Sequence, residues 1–184
     1  GIVAALLPIG LLLSAFGQSG PIADQPGITI GLSLAYIFIA GAIIAAITGY
    51  MAGLIGASNS PVSGVGILTV LGISLILAML FGPNLGLGAS QGLVAFALFV
   101  TAIIFGVATI ANDNLQDLKT GQLVAATPWR QQVALIIGVL FGSVVIPPIL
   151  TILNNAFGFQ GAPGASPNAL AGPQAADLSG IGHG

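Results

Sequence analysis

Charge is the scarcest property of this sequence. Its 184 residues include two Lys or Arg and four Asp or Glu, so charged residues make up 3% of the chain. An average soluble domain has about a quarter charged residues, because its surface must be hydrated. So few charges cannot cover a water-facing surface, and they leave no basic patch of the kind that nucleic-acid-binding proteins use. The composition argues against a soluble fold and against a nucleic-acid partner.

Cysteine is absent, and His183 is the single histidine. These absences exclude disulfides and thiol chemistry, and they leave no cluster of residues for a metal site. Ser58 and Ser63 are the candidates for a serine nucleophile, but such a serine needs a base close in space, and His183 lies far along the chain. The Gly-rich, Lys-containing loop that binds nucleotide phosphates is also missing. We predict that the chain is not an enzyme and needs no cofactor.

Long hydrophobic runs are what the sequence has in abundance. Hydrophobic residues make up 56% of the chain, and no charged residue occurs from position 25 to position 112. A transmembrane helix needs roughly 20 apolar residues to cross a bilayer core of about 30 Å. The pattern predicts an all-α, polytopic transmembrane bundle of about five hydrophobic helices, at 2–16, 28–55, 65–81, 91–111 and 133–153. Pro147 and Pro148 should end or kink the last of these, because proline donates no backbone hydrogen bond.

The composition changes near position 157. Residues 1–157 form the predicted transmembrane region, whereas Gly, Pro, Ala, Ser and Asn dominate residues 158–184. Such a segment cannot bury enough apolar surface to order itself alone. We interpret it as a Pro/Gly-rich extramembrane loop or linker.

Small residues recur at helical spacing in two places. One row is Ala45, Gly49, Gly53 and Ala57, and the other is Ala134, Gly138 and Gly142. Small side chains let membrane helices approach closely. Both rows are therefore predicted to be helix-packing faces.

A polar interruption divides the uncharged run at residues 57–64, which read Ala-Ser-Asn-Ser-Pro-Val-Ser-Gly. Proline and glycine there free backbone polar groups, and lipid offers those groups no partner. Broken helices of this kind often form substrate and ion sites in transporters. The alternative is an ordinary loop between helices, and composition alone favours neither.

The densest polar cluster follows the uncharged run and contains Asn112, Asp113, Asn114, Gln116, Asp117 and Lys119. Asp113 and Asp117 are four residues apart, so they share one face if the segment is helical. Acidic residues within a membrane are candidates for proton or ion coupling. The alternative is a solvated helix end, in which Lys119 neutralises Asp117.

These two polar segments resemble the oligopeptide transporter (OPT) superfamily, in particular its bacterial members and the related yellow-stripe-like metal–chelate transporters. The first match is Asn-Ser-Pro-Val-Ser-Gly at 59–64, preceded by Gly-Tyr-Met-Ala-Gly at 49–53. The second is Asp-Leu-Lys-Thr-Gly at 117–121, followed by Ala-Thr-Pro-Trp-Arg-Gln-Gln at 126–132. Ala125 stands where the family pattern has glycine, which should narrow the conformations open to that turn.

The resemblance implies part of a larger secondary active transporter, proton-coupled, which imports oligopeptides or metal chelates across the bacterial cytoplasmic (inner) membrane. Its implied partners are membrane lipid, the remaining helices of the full-length transporter, the substrate and protons. A non-transporting structural or assembly subunit of a membrane complex remains the alternative. By motif position, the candidates for a substrate-binding or broken-helix element are Asn59, Pro61, Ser63 and Gly64, and those for coupling or a conformational latch are Asp113, Asp117, Lys119 and Thr120.

Overall fold

The computed structural model describes residues 2–17, 22–23, 25–81, 87–159 and 169–170. These residues form five α-helices, with a 3-10 helix at Ala57–Asn59 between the second and third: α1 (Ile2–Phe16), α2 (Pro26–Ile55), α3 (Val62–Phe81), α4 (Leu87–Leu123) and α5 (Pro128–Ala156). The predicted all-α bundle is thus confirmed. Asp24, Asp177 and His183 lie outside the described residues.

Four of the helices are long and apolar enough to cross a membrane, namely α2, α3, α5 and the Gln91–Leu123 part of α4. Helix α1 has 15 residues. At 1.5 Å per residue it is about 22 Å long, which is short of a hydrocarbon core of about 30 Å. The charge-free stretch between positions 25 and 112 therefore accounts for α2, α3 and most of α4.

The core lies where α4 packs between α2 and α3, with α1 against α2. Phe96, Val100 and Ile104 of α4 are buried there with Ile37 of α2 and Ile73 of α3. Two interhelical hydrogen bonds add to this packing. The Thr48 hydroxyl of α2 lies 3.3 Å from the Ala108 carbonyl oxygen, and the Tyr36 hydroxyl donates to the Thr69 carbonyl at 2.9 Å.

The glycines of the two small-residue rows differ in how closely another helix approaches them. A Cβ added to Gly49 would lie 3.2 Å from Leu115 Cγ, so α2 and α4 approach closely at that glycine. A Cβ added to Gly53 or to Gly138 would meet nothing within 4 Å. The packing prediction therefore holds at Gly49, whereas Gly53 and Gly138 contact no described helix at that range.

Helix α4 is longer than predicted. The sequence analysis ended the span at residue 111, but the helix runs for 37 residues to Leu123 and includes the polar cluster. No proline interrupts this stretch, and Gln, Leu and Lys are favourable helix formers. The segment is therefore helical, and Asp113 and Asp117 lie one helical turn apart, as predicted for that case.

The predicted proline stop in the last helix is wrong in one respect. Helix α5 begins at Pro128, earlier than expected, and continues through Pro147 and Pro148 to Ala156. Proline at the first helical position is favourable because its missing N–H has no helical partner in any case. Further along, a bilayer favours keeping the helix, since backbone groups released from it would find no partner in lipid.

The chain leaves α5 at Phe157 and Gly158. Gly158 has a φ of 73°, and its carbonyl accepts a 3.0 Å hydrogen bond from the Leu170 N–H. Most of the Pro/Gly-rich segment 158–184 lies outside the described residues, so its extramembrane role stays a prediction.

Candidate functional site

The connection between α2 and α3, here called the α2–α3 turn (residues 56–61), is one part of the candidate site. Helix α2 ends at Ile55 and is followed by Gly56, whose φ of 87° and ψ of 156° favour glycine. The Asn59 side chain donates to the Ile55 carbonyl at 3.1 Å and so satisfies a carbonyl at the end of α2. Pro61 directly precedes α3, and Ser63 and Gly64 are exposed in its first turn. Asn59 and Pro61 thus lie in the α2–α3 turn, and Ser63 and Gly64 follow it at the start of α3.

The polar half of α4 (residues 112–123) is the other part, and it holds the α2–α3 turn directly. The Ala57 N–H donates to Gln116 Oε1 at 2.7 Å. The Ala57 carbonyl accepts from Asn112 Nδ2 at 3.3 Å. The backbone N–H and the carbonyl of Ala57, which belong to two successive peptide units, are therefore both paired with side chains of α4. The two polar segments, separate in sequence, meet in the fold.

Asn112 and Gln116 are the residues that make this contact, and neither was among the candidate site residues. Their spacing of four positions places them on one face of a helix, which was the available signal. Asn112 is only 5% exposed. Its Oδ1, like the Ser60 hydroxyl, is buried and has no hydrogen-bond partner among the described residues. This oxygen retains the capacity to accept one further hydrogen bond.

The four coupling or latch candidates do not converge on one point. Asp117 and Thr120 line a groove between α4 and α5, whereas Lys119 lines a smaller groove together with Gly53 of α2. The Lys119 ammonium donates to Gln122 Oε1 at 3.1 Å. Asp113 is exposed and lines neither of these grooves. The sequence analysis treated these four residues as one group, and the fold separates them.

The groove between α4 and α5 has a volume of about 1000 Å³. Its polar end is formed by Asp117, Thr120 and Gln131, and small residues of α5 line its apolar part: Ala134, Gly138 and Gly142. The Gln131 side chain lies over Gly121, where an added Cβ would overlap it. Gln131 Nε2 also donates to the Asp117 carbonyl at 3.3 Å. The groove is thus apolar over most of its length and carries one carboxylate at its polar end.

The turn between α4 and α5 bears on the family pattern. Ala125 has a φ of 55°, in the left-handed region that favours glycine. The Ala126 N–H donates to the Gly121 carbonyl at 2.8 Å, and the Ala125 N–H donates to the Gln122 carbonyl at 3.4 Å. This is the Schellman pattern that commonly ends helices with glycine at the left-handed position. The departure from glycine at position 125 therefore falls where a side chain is least favourable.

Comparison with known proteins decides the family. The family model described as OPT oligopeptide transporter protein matches residues 3–181. The chain belongs to the OPT oligopeptide transporter family. The resemblance inferred from the two polar segments is thus confirmed. Members of this family are transporters and not enzymes, in agreement with the sequence prediction.

Two kinds of relative illustrate the range of the OPT family. A Haemophilus influenzae protein named "Putative oligopeptide transporter" is 46% identical over an alignment of 194 residues that covers all of this chain and 30% of that protein. The rice proteins named "Probable metal-nicotianamine transporter" YSL10 and YSL13 are 35% and 34% identical over 85 residues, or 45% of this chain and 12% of theirs. No solved structure matches the chain. The chain thus spans less than a third of the length of the H. influenzae relative.

The family and the apolar helices together define the location. Four described helices have the length and composition to cross a bilayer, and the matching family consists of membrane transporters. The chain is an integral, multi-pass membrane protein. Its similarity to the H. influenzae protein supports the bacterial inner membrane.

Proposed function

We propose that this chain is a segment of a secondary active transporter that imports oligopeptides or metal chelates across the cytoplasmic membrane, with protons as the coupling ion. Family membership supports transport. The names of the relatives support the two substrate classes, an oligopeptide for one and metal–nicotianamine for the others.

The observation that carries this proposal is the pairing of the Ala57 backbone N–H with Gln116 and of the Ala57 carbonyl with Asn112. A break between two membrane helices exposes backbone groups that lipid cannot satisfy. In transporters such breaks persist where protein groups or a binding cavity take over the lost hydrogen bonds. Here two side chains of a polar helix face pair with Ala57, in addition to the local bond that the Ser60 N–H donates to the Ala57 carbonyl at 3.2 Å. This pairing favours a dedicated structural element over an ordinary loop.

Within this proposal, Asp117 is the stronger candidate for coupling. Its side chain is exposed and lines the groove between α4 and α5 together with Thr120. Acidic residues that line cavities within a membrane bundle are candidates for proton coupling. Asp113 lies on the same helix but lines neither groove, so it provides a matched comparison.

We propose that the broken-helix element consists of the α2–α3 turn and the start of α3, with the contributing residues Asn59, Pro61, Ser63 and Gly64. Asn59 satisfies the end of α2 through its bond to Ile55. Pro61, at the start of α3, has no N–H that would need a partner. Ser63 and Gly64 are exposed and free to contact a substrate.

Lys119, in the smaller groove, is proposed as a latch residue.

The test is an uptake assay with the full-length protein in proteoliposomes under a pH gradient, with small peptides and with metal chelates. The expected result is uptake of one class that stops when a protonophore collapses the gradient. Asp117→Asn is expected to lower proton-driven uptake roughly tenfold or more, and Asp113→Asn is expected to lower it much less.

Each other outcome is also informative. Uptake that persists with protonophore would overturn proton coupling, and native uptake in Asp117→Asn would remove that carboxylate from the mechanism. If the native protein took up neither class, the structural or assembly role would be favoured instead.

A further inference from the structure

The α2–α3 turn is not held in place by apolar packing. None of the residues of its 3-10 helix is buried. Two of its hydrogen bonds are local to α2: the Gly56 N–H donates to the Ala52 carbonyl at 3.0 Å, and Asn59 donates to Ile55. The bonds from Ala57 to α4 join positions 59 and 55 residues apart. The position of the turn relative to α4 therefore rests largely on two side-chain amides.

We propose that Asn112 and Gln116 are positioning residues that hold the α2–α3 turn on α4 through the backbone N–H and carbonyl of Ala57, and that this contact opens and closes during transport. The second clause rests on the proposed function, and the first does not. Two neutral hydrogen bonds can fix a conformation and still be exchanged for others, because their net free energy is modest.

The backbone dictates which end of each amide must face Ala57. An N–H can only donate, so the atom of Gln116 that faces it must be an acceptor. A carbonyl oxygen can only accept, so Asn112 must present its NH₂ group. The two side chains therefore have opposite and non-interchangeable roles. A purely steric role for either residue would not depend on this polarity.

This polarity defines a set of variants at position 116, where the side chain is exposed and forms no part of the buried core. Gln116→Glu keeps an acceptor oxygen at the same place. Gln116→Lys has similar length but offers only donors, so it cannot accept from Ala57. Gln132→Leu removes an exposed glutamine from α5 and serves as the matched control.

Hydrogen exchange of the peptide that contains residues 56–60 in the full-length protein, followed by mass spectrometry, tests the contact itself. Gln116→Lys is expected to speed exchange there about tenfold, because the Ala57 N–H loses its acceptor. Gln116→Glu and Gln132→Leu should retain native exchange. Asn112→Leu should speed exchange less, because Asn112 pairs with the Ala57 carbonyl, which has no exchangeable proton and also accepts from the Ser60 N–H. Equal exchange in Gln116→Lys and Gln116→Glu would overturn the contact.

Uptake kinetics on the same variants test the link to transport. Gln116→Lys is expected to lower the maximal uptake rate by about tenfold with little change in KM. Gln116→Glu should keep the native maximal rate, because it keeps the acceptor oxygen. A native maximal rate in a variant with fast exchange would overturn the opening and closing role and leave the contact standing. Absence of any uptake by the native protein would instead count against the proposed function, and the exchange result would still decide the contact.

Discussion

Helices α4 and α5 are equally apolar over their most hydrophobic windows, yet they differ completely in burial. In α4, 44% of that window is buried, whereas in α5 none is. Hydropathy therefore explains why each helix suits a bilayer, but it does not explain which helix packs. The two helices differ in the number of other helices that pack against them. Helix α4 lies between α2 and α3, and the described residues include no helix covering the apolar face of α5.

The physical reason lies in how helices associate in lipid. Lipid tails are as apolar as leucine, so apolar side chains gain little by leaving lipid for another helix. Close packing and interhelical hydrogen bonds decide association instead. Helix α4 has both, through Gly49 of α2 beside Leu115 and through the Thr48 hydroxyl at the Ala108 carbonyl.

The largest expected effect comes from disrupting the close packing of α2 against α4. Gly49→Leu should destabilise the protein by about 3 kcal/mol, because its side chain would press on Leu115 and on the Ala111 carbonyl of α4. Thermal unfolding in detergent micelles measures the change. Gly53→Leu on the same helix and Gly138→Leu on α5 are the controls, since an added Cβ meets nothing within 4 Å at either. Equal losses in all three would contradict the packing difference.

A middle-sized effect compares the two helices directly. Ile104→Ala in α4 should cost about 2 kcal/mol, since its fully buried side chain would leave a cavity and lose its packing contacts. Ile137→Ala in α5 should change stability by less than about 0.5 kcal/mol, because that side chain is 62% exposed. The measurement is again the unfolding midpoint in micelles. A larger loss for Ile137→Ala would mean that another helix covers α5 under the conditions of the assay.

The smallest effect concerns the turn that joins the two helices. Ala125→Gly should stabilise the protein by about 1 kcal/mol, since alanine at a φ of 55° is strained and glycine is not. Ala126→Gly is the control, because Ala126 does not have a positive φ and the substitution should not raise stability. Chemical unfolding in mixed micelles would measure both. Destabilisation by Ala125→Gly would show that chain entropy outweighs the strain.

Much of the fold could be predicted from local sequence. Charge-free apolar runs predicted the five helices, and the ends of α2 and α3 nearest the turn were placed within three residues. The end of α4 was missed because the polar cluster was interpreted as a boundary. Asn112 and Gln116 instead continue the helix and use their polar side chains to hold Ala57.

The candidate site could be predicted only in part. The two polar segments were singled out correctly as the informative ones, and the motifs in them indicated the family that the family model confirms. Which residues join them was not predicted, since the Ala57–Gln116 contact spans 59 positions. The separation of Asp117 from Lys119 into different grooves likewise depends on where α2 and α5 lie around α4.

The sequence by itself determined that the protein lies in a lipid bilayer, that it is helical and that it belongs to the OPT family. Hydropathy and motifs are properties of neighbouring residues and can be recognised without the fold. The turn at Ala125 was also visible in the sequence, as a departure from glycine. Only the tertiary structure decided that α4 is the packed helix, that α5 presents a groove, and that the backbone of Ala57 is held by Asn112 and Gln116. In a bilayer, apolar helices have similar free energies against lipid and against each other. Close approach and paired polar groups therefore decide the arrangement, and both depend on residues far apart in the chain.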